Sequence, residues 1–203
     1  MKSRKPVAAE VRRWSHFYAP LYVGHAGCET PGCGDLVRGP DLRFILIDKI
    51  IELTPGERIK AVKAIAPDED YFQDHFPGFP VVPGVLLTEM MAQAAGKCLD
   101  AEGRPRGKAM LAQIRSASFR DWVRPGEMAE VFVIVQTSQD DFATARGHIE
   151  VGGRKVCSAE LLFAFTPVDR FAPGYRDEVL DAYLALRSSS GTVADGDRSG
   201  QER

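Results

Sequence analysis

His75 and Glu89 are separated by a short segment, 76–88, whose first nine residues (FPGFPVVPG, 76–84) contain three prolines and two glycines. So many fixed or left-handed backbone positions exclude regular structure and imply a stiff, defined loop. The loop ends at Gly84–Val85, where a helix pattern begins, and Glu89 lies one turn into it. Each part suits elimination of water from a β-hydroxy thioester. An imidazole with a pKa near neutrality can take the proton from C2. Backbone N–H groups at a helix start, with the positive end of the dipole behind them, can stabilise an enolate-like thioester oxygen. A carboxyl in apolar surroundings has its pKa raised by desolvation, so it can stay protonated and donate to the departing hydroxyl. Gln93, four residues after Glu89, can hydrogen-bond that carboxyl and fix its rotamer.

Plainer accounts fit each residue taken alone. His75 follows Asp74 at a loop, where partly exposed surface histidines are common. Glu89 can be a first-turn carboxylate favoured by the helix dipole, and Gln93 alone means nothing. Their joint presence around so constrained a loop keeps the chemical reading open.

Several elements must position these groups. The segment VLLTEMMAQAAGKCLDAEG (85–103) holds good helix formers, no interior proline and only Gly96 as a weak point, and stops at Gly103. Over Val85–Gly96 its single charge is Glu89, so the helix is expected to be buried on most sides. Before it, Leu42–Leu53 is rich in Ile and Leu, TPGE (54–57) reads as a turn, and ERIKAVKAIAP reads as a half-buried strand ending near Pro67. After it, Ala109–Ser118, Glu127–Gln136, Phe142–Val151 and Lys155–Phe165 read as strands. Turns are expected at Arg124-Pro125-Gly126, Gln139-Asp140-Asp141 and Gly152-Gly153. This spacing predicts antiparallel hairpins, not crossover units. One apolar helix and a run of antiparallel strands make an α+β layout, with the sheet wrapped around the helix.

The segment from His75 to Gln93, HFPGFPVVPGVLLTEMMAQ, closely resembles the signature of bacterial 3-hydroxyacyl-acyl carrier protein dehydratases of fatty acid synthesis. That family carries His-Phe-Pro-Gly, then Pro-Val-Met-Pro-Gly-Val, then Glu with Ala-Gln shortly after. Phe44–Asp48 resembles its opening strand, Phe119–Val133 its Pro-Gly turn and following strand, and Ala145–Phe165 its last hairpin. The resemblance implies a hotdog fold, a homodimer often assembled further into a trimer of dimers, and active sites at the dimer interface. His75 of one chain would then face Glu89 of the other. It also implies that the Val81 carbonyl orients the His75 ring, that the Gly84 N–H binds the thioester carbonyl, and that Gln93 supports Glu89. The implied reaction is reversible dehydration of a (3R)-hydroxyacyl thioester to the trans-2-enoyl product, with no metal or organic cofactor. The substrate would arrive on the phosphopantetheine arm of acyl carrier protein.

Departures from the family pattern are local. Val82 stands where the family usually has Met, and Leu42-Arg43-Phe44 lacks the usual His-Arg-Tyr-Pro. Related enzymes that also isomerise the double bond carry Asp at the acid position, so Glu89 favours simple dehydration. Residues 41–167 are expected to form the hotdog domain, with 1–40 as an N-terminal arm. Residues 168–203 are expected to hold a short helix, EVLDAYLAL (178–186), and a tail of disordered composition. These extensions have no counterpart in the minimal family domain, which leaves a dedicated pathway, such as a polyketide, aryl polyene or other specialised lipid route, open beside fatty acid synthesis. Two other readings of the fold are a hotdog acyl-thioesterase and a non-catalytic acyl-binding protein. The first does not carry the His-Phe-Pro-Gly segment, and the second has no need of a buried carboxyl that costs stability.

Bulk properties narrow the partners. A net charge of -2 gives no reason to expect nucleic acid or an anionic membrane surface. No apolar run reaches the roughly 20 residues of a membrane span. The basic start, MKSRKPVAAEVRRW, lacks the apolar core of a secretory signal, so a cytoplasmic protein is expected. Cys28, Cys33, Cys98 and Cys157 are too few and scattered for a disulfide framework. His25, Cys28 and Cys33 approach metal-ligand spacing, but no second Cys/His pair completes a set. Tunnel depth would depend on Met90, Met91, Phe119 and Trp122. Arg104, Arg106, Arg120 and Arg124 are candidates for steering an acidic carrier.

Overall fold

The computed structural model describes residues 44–103, 107–167 and 176–190, with side chains to Leu186 in the last stretch. The N-terminal arm, with its aromatic stretch and the His25, Cys28 and Cys33 loop, lies outside the described residues, as do Arg104 and Arg106.

Among the described residues, six strands and two helices follow one another as β1 (Lys49–Thr54), β2 (Arg58–Ala64), α1 (Gly84–Asp100), β3 (Lys108–Phe119), β4 (Met128–Ser138), β5 (Phe142–Val151), β6 (Arg154–Thr166) and α2 (Glu178–Ser190). A 3-10 turn, Asp70–Phe72, leads into the His75 loop. The strands form one antiparallel sheet in the order β1-β2-β4-β5-β6-β3. No described helix is long and apolar enough to cross a membrane.

Period-two alternation turns one face of the sheet toward α1. Ile59 pairs with Val133, Val133 with Gly147, and Gly147 with Ala159, giving one row of small or branched residues beneath the helix. At Gly147 a Cβ would stand 3.0 Å from Met91 Sδ, so this glycine sets how closely helix and sheet approach. Met90 and Met91 are fully buried against the sheet. Truncating either would cost about 2–5 kcal/mol. The α1 helix contacts β2, β3, β4, β5 and β6, and the sheet wraps it as a hotdog fold requires. The helix starts at Gly84 directly after Pro83, whose fixed φ suits a helix entrance, and ends at Asp100 ahead of Gly103.

Two expectations need correction. The connection between β3 and β4 is not a hairpin: β3 pairs with β6 across the sheet, while β4 lies between β2 and β5. The Arg124-Pro125-Gly126 turn is instead a docking corner. Gly126 N–H donates to Ile65 O at 2.7 Å, and Ile65 N–H donates to Glu127 O at 2.9 Å. Phe44–Asp48 is not strand either. The strand begins at Lys49, because part of the preceding backbone is bonded to a side chain of α1. The hairpins at Gln139–Asp141 and Gly152-Gly153 stand as expected, the latter with φ of 56° and 79°, positions that L side chains rarely adopt. The C-terminal helix is longer than EVLDAYLAL, running to Ser190.

Candidate active site

Two local constructions hold the residues singled out above. The first is the His75 loop. His75 N–H donates to Tyr71 O at 2.9 Å, closing the turn after Asp70–Phe72. Beyond it, Phe79 N–H donates to Phe76 O at 2.8 Å across Gly78, whose φ is 81°. Val81 N–H then returns to His75 O at 3.2 Å. The loop is pinned from outside as well: Val82 N–H donates to Val123 O at 2.8 Å, and the Phe79 ring meets Trp122 edge-on at 5.1 Å. The β3–β4 crossover therefore supports the loop that carries the imidazole.

His75 Nδ1 lies 3.0 Å from the Val81 carbonyl oxygen. A carbonyl only accepts, so this contact requires the proton on Nδ1 and leaves the Nε2 lone pair available to take another. The ring is half-buried.

The second construction is the start of α1. Gly84 is its first residue, and the earliest N–H groups of a helix have no intrahelical acceptor. Leu86 N–H and Leu87 N–H both turn back to Pro83 O, at 2.9 and 3.3 Å, and Thr88 Oγ1 donates to Gly84 O at 3.2 Å. A Cβ on Gly84 would stand 3.0 Å from the Phe119 ring, so this position packs directly beneath an aromatic side chain.

One turn later Glu89 is half-buried, and Gln93 Nε2 donates to Glu89 Oε1 at 3.2 Å. The same amide nitrogen lies 3.2 Å from Phe44 O, while Gln93 Oε1 accepts the Leu46 N–H at 2.9 Å. With both ends of its amide engaged, Gln93 fastens the segment before β1 to α1 and presents an N–H to Glu89. This strap was missed from sequence, because its backbone partners lie 47 and 49 residues away.

Glu89 and Gln93 line a cavity of about 510 Å3, within the range of small-molecule sites. Its other walls include Phe44, Leu111 and Phe163, and the C-terminal residues Asp177 and Val179. His75 is not among the lining residues. Within one chain, then, the structure brings Val81 to His75 and Gln93 to Glu89, but does not bring the imidazole into the cavity of the carboxyl. The residues expected to shape a tunnel are not there either. Met90 and Met91 are core, Phe119 covers Gly84, and Trp122 braces the loop. A further residue on this helix went unnoticed in the sequence: Lys97, buried two turns beyond Glu89 and paired with Asp177.

Residues 39–160 match the FabA-like domain family. The 3-hydroxyacyl-acyl-carrier-protein dehydratase FabZ of Lactobacillus helveticus is 41% identical over 121 residues, which span 59% of this chain and 82% of that protein. The FabZ of Oenococcus oeni is 40% identical over 121 residues, 59% of this chain and 87% of that one. The FabZ of Levilactobacillus brevis is 37% identical over 127 residues, 62% and 86% respectively. The match covers more than half of the chain and takes in both the His75 loop and the helix bearing Glu89, so the chain belongs to the FabA-like family.

Proposed function

We propose that the protein is a 3-hydroxyacyl-acyl carrier protein dehydratase, removing water from a (3R)-hydroxyacyl thioester to give the trans-2-enoyl thioester. The observation that carries the reading is Glu89: the single charged side chain over Val85–Gly96 of α1, held by Gln93 and lining a cavity of substrate size.

His75 Nε2 takes the proton from C2, and the electrons of that C–H bond form the C2=C3 double bond. The C3–O bond breaks, the oxygen takes the proton of the Glu89 carboxyl, and water leaves. The first-turn N–H of Gly84 receives the negative charge that gathers on the thioester oxygen. Val81 keeps the imidazole in the tautomer that can accept at Nε2. Gln93 keeps the carboxyl in one rotamer.

The catalytic unit on this reading is the 41–167 domain, and His75 of one chain meets Glu89 of a second. Three features support a shared site. His75 is absent from the Glu89 cavity within one chain. Among the described strands, β3 stands at the end of the sheet and pairs with β6. Its residues Ile114 and Phe119 are each 50% exposed, an apolar surface suited to pairing with a second copy. A trimer of such dimers is the larger assembly in keeping with the family. Mixing His75→Ala with Glu89→Gln, each inactive alone, tests both the reaction and the sharing. Subunit exchange should restore dehydration of a carrier-linked 3-hydroxybutyryl thioester through the mixed dimer's one intact site. Persistent inactivity after exchange, with wild type active, would place both residues in one chain's site.

A further inference from the structure

Lys97 closes a series that α1 presents to one cavity at single-turn intervals: Glu89, Gln93, Lys97. The eight residues from Glu89 to Lys97 correspond to about 12 Å of helix rise. At the Lys97 end the wall comes from the C-terminal segment. Asp177 accepts Lys97 Nζ with both carboxylate oxygens, at 2.7 and 2.6 Å, and the two side chains are only 9% and 10% exposed. The Asp177 carboxylate also accepts the Leu180 N–H at 3.1 Å, capping α2. Val179 joins the cavity wall, Leu180 enters the core, and α2 packs on β1. One residue thus starts the helix, anchors it to α1 and lines the cavity.

The walls between the two ends are largely apolar, including Phe44, Leu111 and Phe163. An alkyl chain gains from each methylene buried along such walls. It stops gaining where it meets a buried ion pair, because displacing that pair would leave two poorly solvated charges.

We infer that α2 and the Lys97–Asp177 pair form the far wall of the acyl cavity and set the longest 3-hydroxyacyl chain the enzyme accepts; the inference rests on the dehydratase reading above. Lys97, Asp177 and Val179 are the specificity-determining residues. Apolar side chains in place of the pair extend the greasy wall and admit longer chains, whereas a larger side chain at 179 shortens the space.

The test compares hydration of crotonyl, octenoyl and dodecenoyl pantetheine thioesters by wild type, the double variant Lys97→Met/Asp177→Leu, and Val179→Phe. Replacing a buried ion pair by apolar groups is often tolerated, so the double variant is expected to fold, and Val179→Phe leaves the pair in place. The ratio of dodecenoyl to crotonyl kcat/KM should rise about tenfold in the double variant and fall about tenfold in Val179→Phe. Unchanged ratios in both, with wild type active, overturn the inference and leave the dehydratase reading standing. A wild type inactive on every thioester overturns both.

Discussion

Gln93 donates to Glu89 Oε1 at 3.2 Å from an amide whose oxygen is already committed to the Leu46 N–H at 2.9 Å. The candidate acid is thus held by a neighbour one turn along its own helix, a side chain that also ties the strand entrance to α1. Gln93→Ala would free the Glu89 carboxyl and strand the Leu46 N–H. An unsatisfied buried donor costs about 1–3 kcal/mol, so the melting temperature should fall. Loss of the fixed rotamer should lower kcat by about tenfold or more, with a smaller change in KM. Thermal denaturation and steady-state kinetics on the purified variant check both.

Gly84 and Phe119 are in similarly close register. A methyl group at 84 would stand 3.0 Å from the Phe119 ring, which is half exposed and able to give way. Gly84→Ala should therefore unfold near the wild-type temperature. The displaced ring and disturbed first turn should lower kcat/KM by about tenfold. A large fall in melting temperature would mean that the position serves packing alone.

The buried thiols supply a pH test. Burial pushes the Cys98 and Cys157 thiols from 9.0 up to about 11. The folded state therefore keeps two protons that the unfolded chain gives up at lower pH. Their contribution to stability is fully present below pH 9 and is lost as pH rises toward 11. Denaturant midpoints across that window should decline, and more gently in Cys98→Ala/Cys157→Ala. Alkylation at neutral pH, mapped by mass spectrometry, should leave both residues unmodified until denaturant is added.

How far the sequence could be read depends on separation along the chain. His75, Val81, Gly84, Glu89 and Gln93 lie within one continuous stretch, so their order alone exposed the loop, the helix start and the i, i+4 pair. The β4–β5 and β5–β6 hairpins were legible from alternation and turn residues. The β3–β6 pairing was not, because nothing in RDWVRPGE (120–127) distinguishes a hairpin turn from a crossover. Lys97–Asp177 spans 80 residues, and Gln93 reaches back 47 to Leu46. Such contacts leave no periodic trace. Phe44–Asp48 resembles the family's opening strand, yet Gln93 takes up part of its backbone instead.

Arg124 is a candidate for steering an acidic carrier toward the loop. Its guanidinium lies over the Phe79 ring at 5.5 Å, on the exposed side of the crossover that braces the His75 loop. Acyl carrier proteins are acidic, so a cation here should steer the encounter. Arg124→Glu is expected to raise KM for a carrier-linked substrate about tenfold and to affect a pantetheine-linked one far less. Equal losses on the two substrates would count against steering.

Hydration of a crotonyl thioester, followed by absorbance for wild type, His75→Ala and Glu89→Gln, tests the account most directly. Wild type should turn over, and each variant should lose about a hundredfold or more in kcat/KM while keeping its oligomeric state. A wild type without turnover on carrier-linked substrates of several chain lengths, or variants as active as wild type, would contradict it.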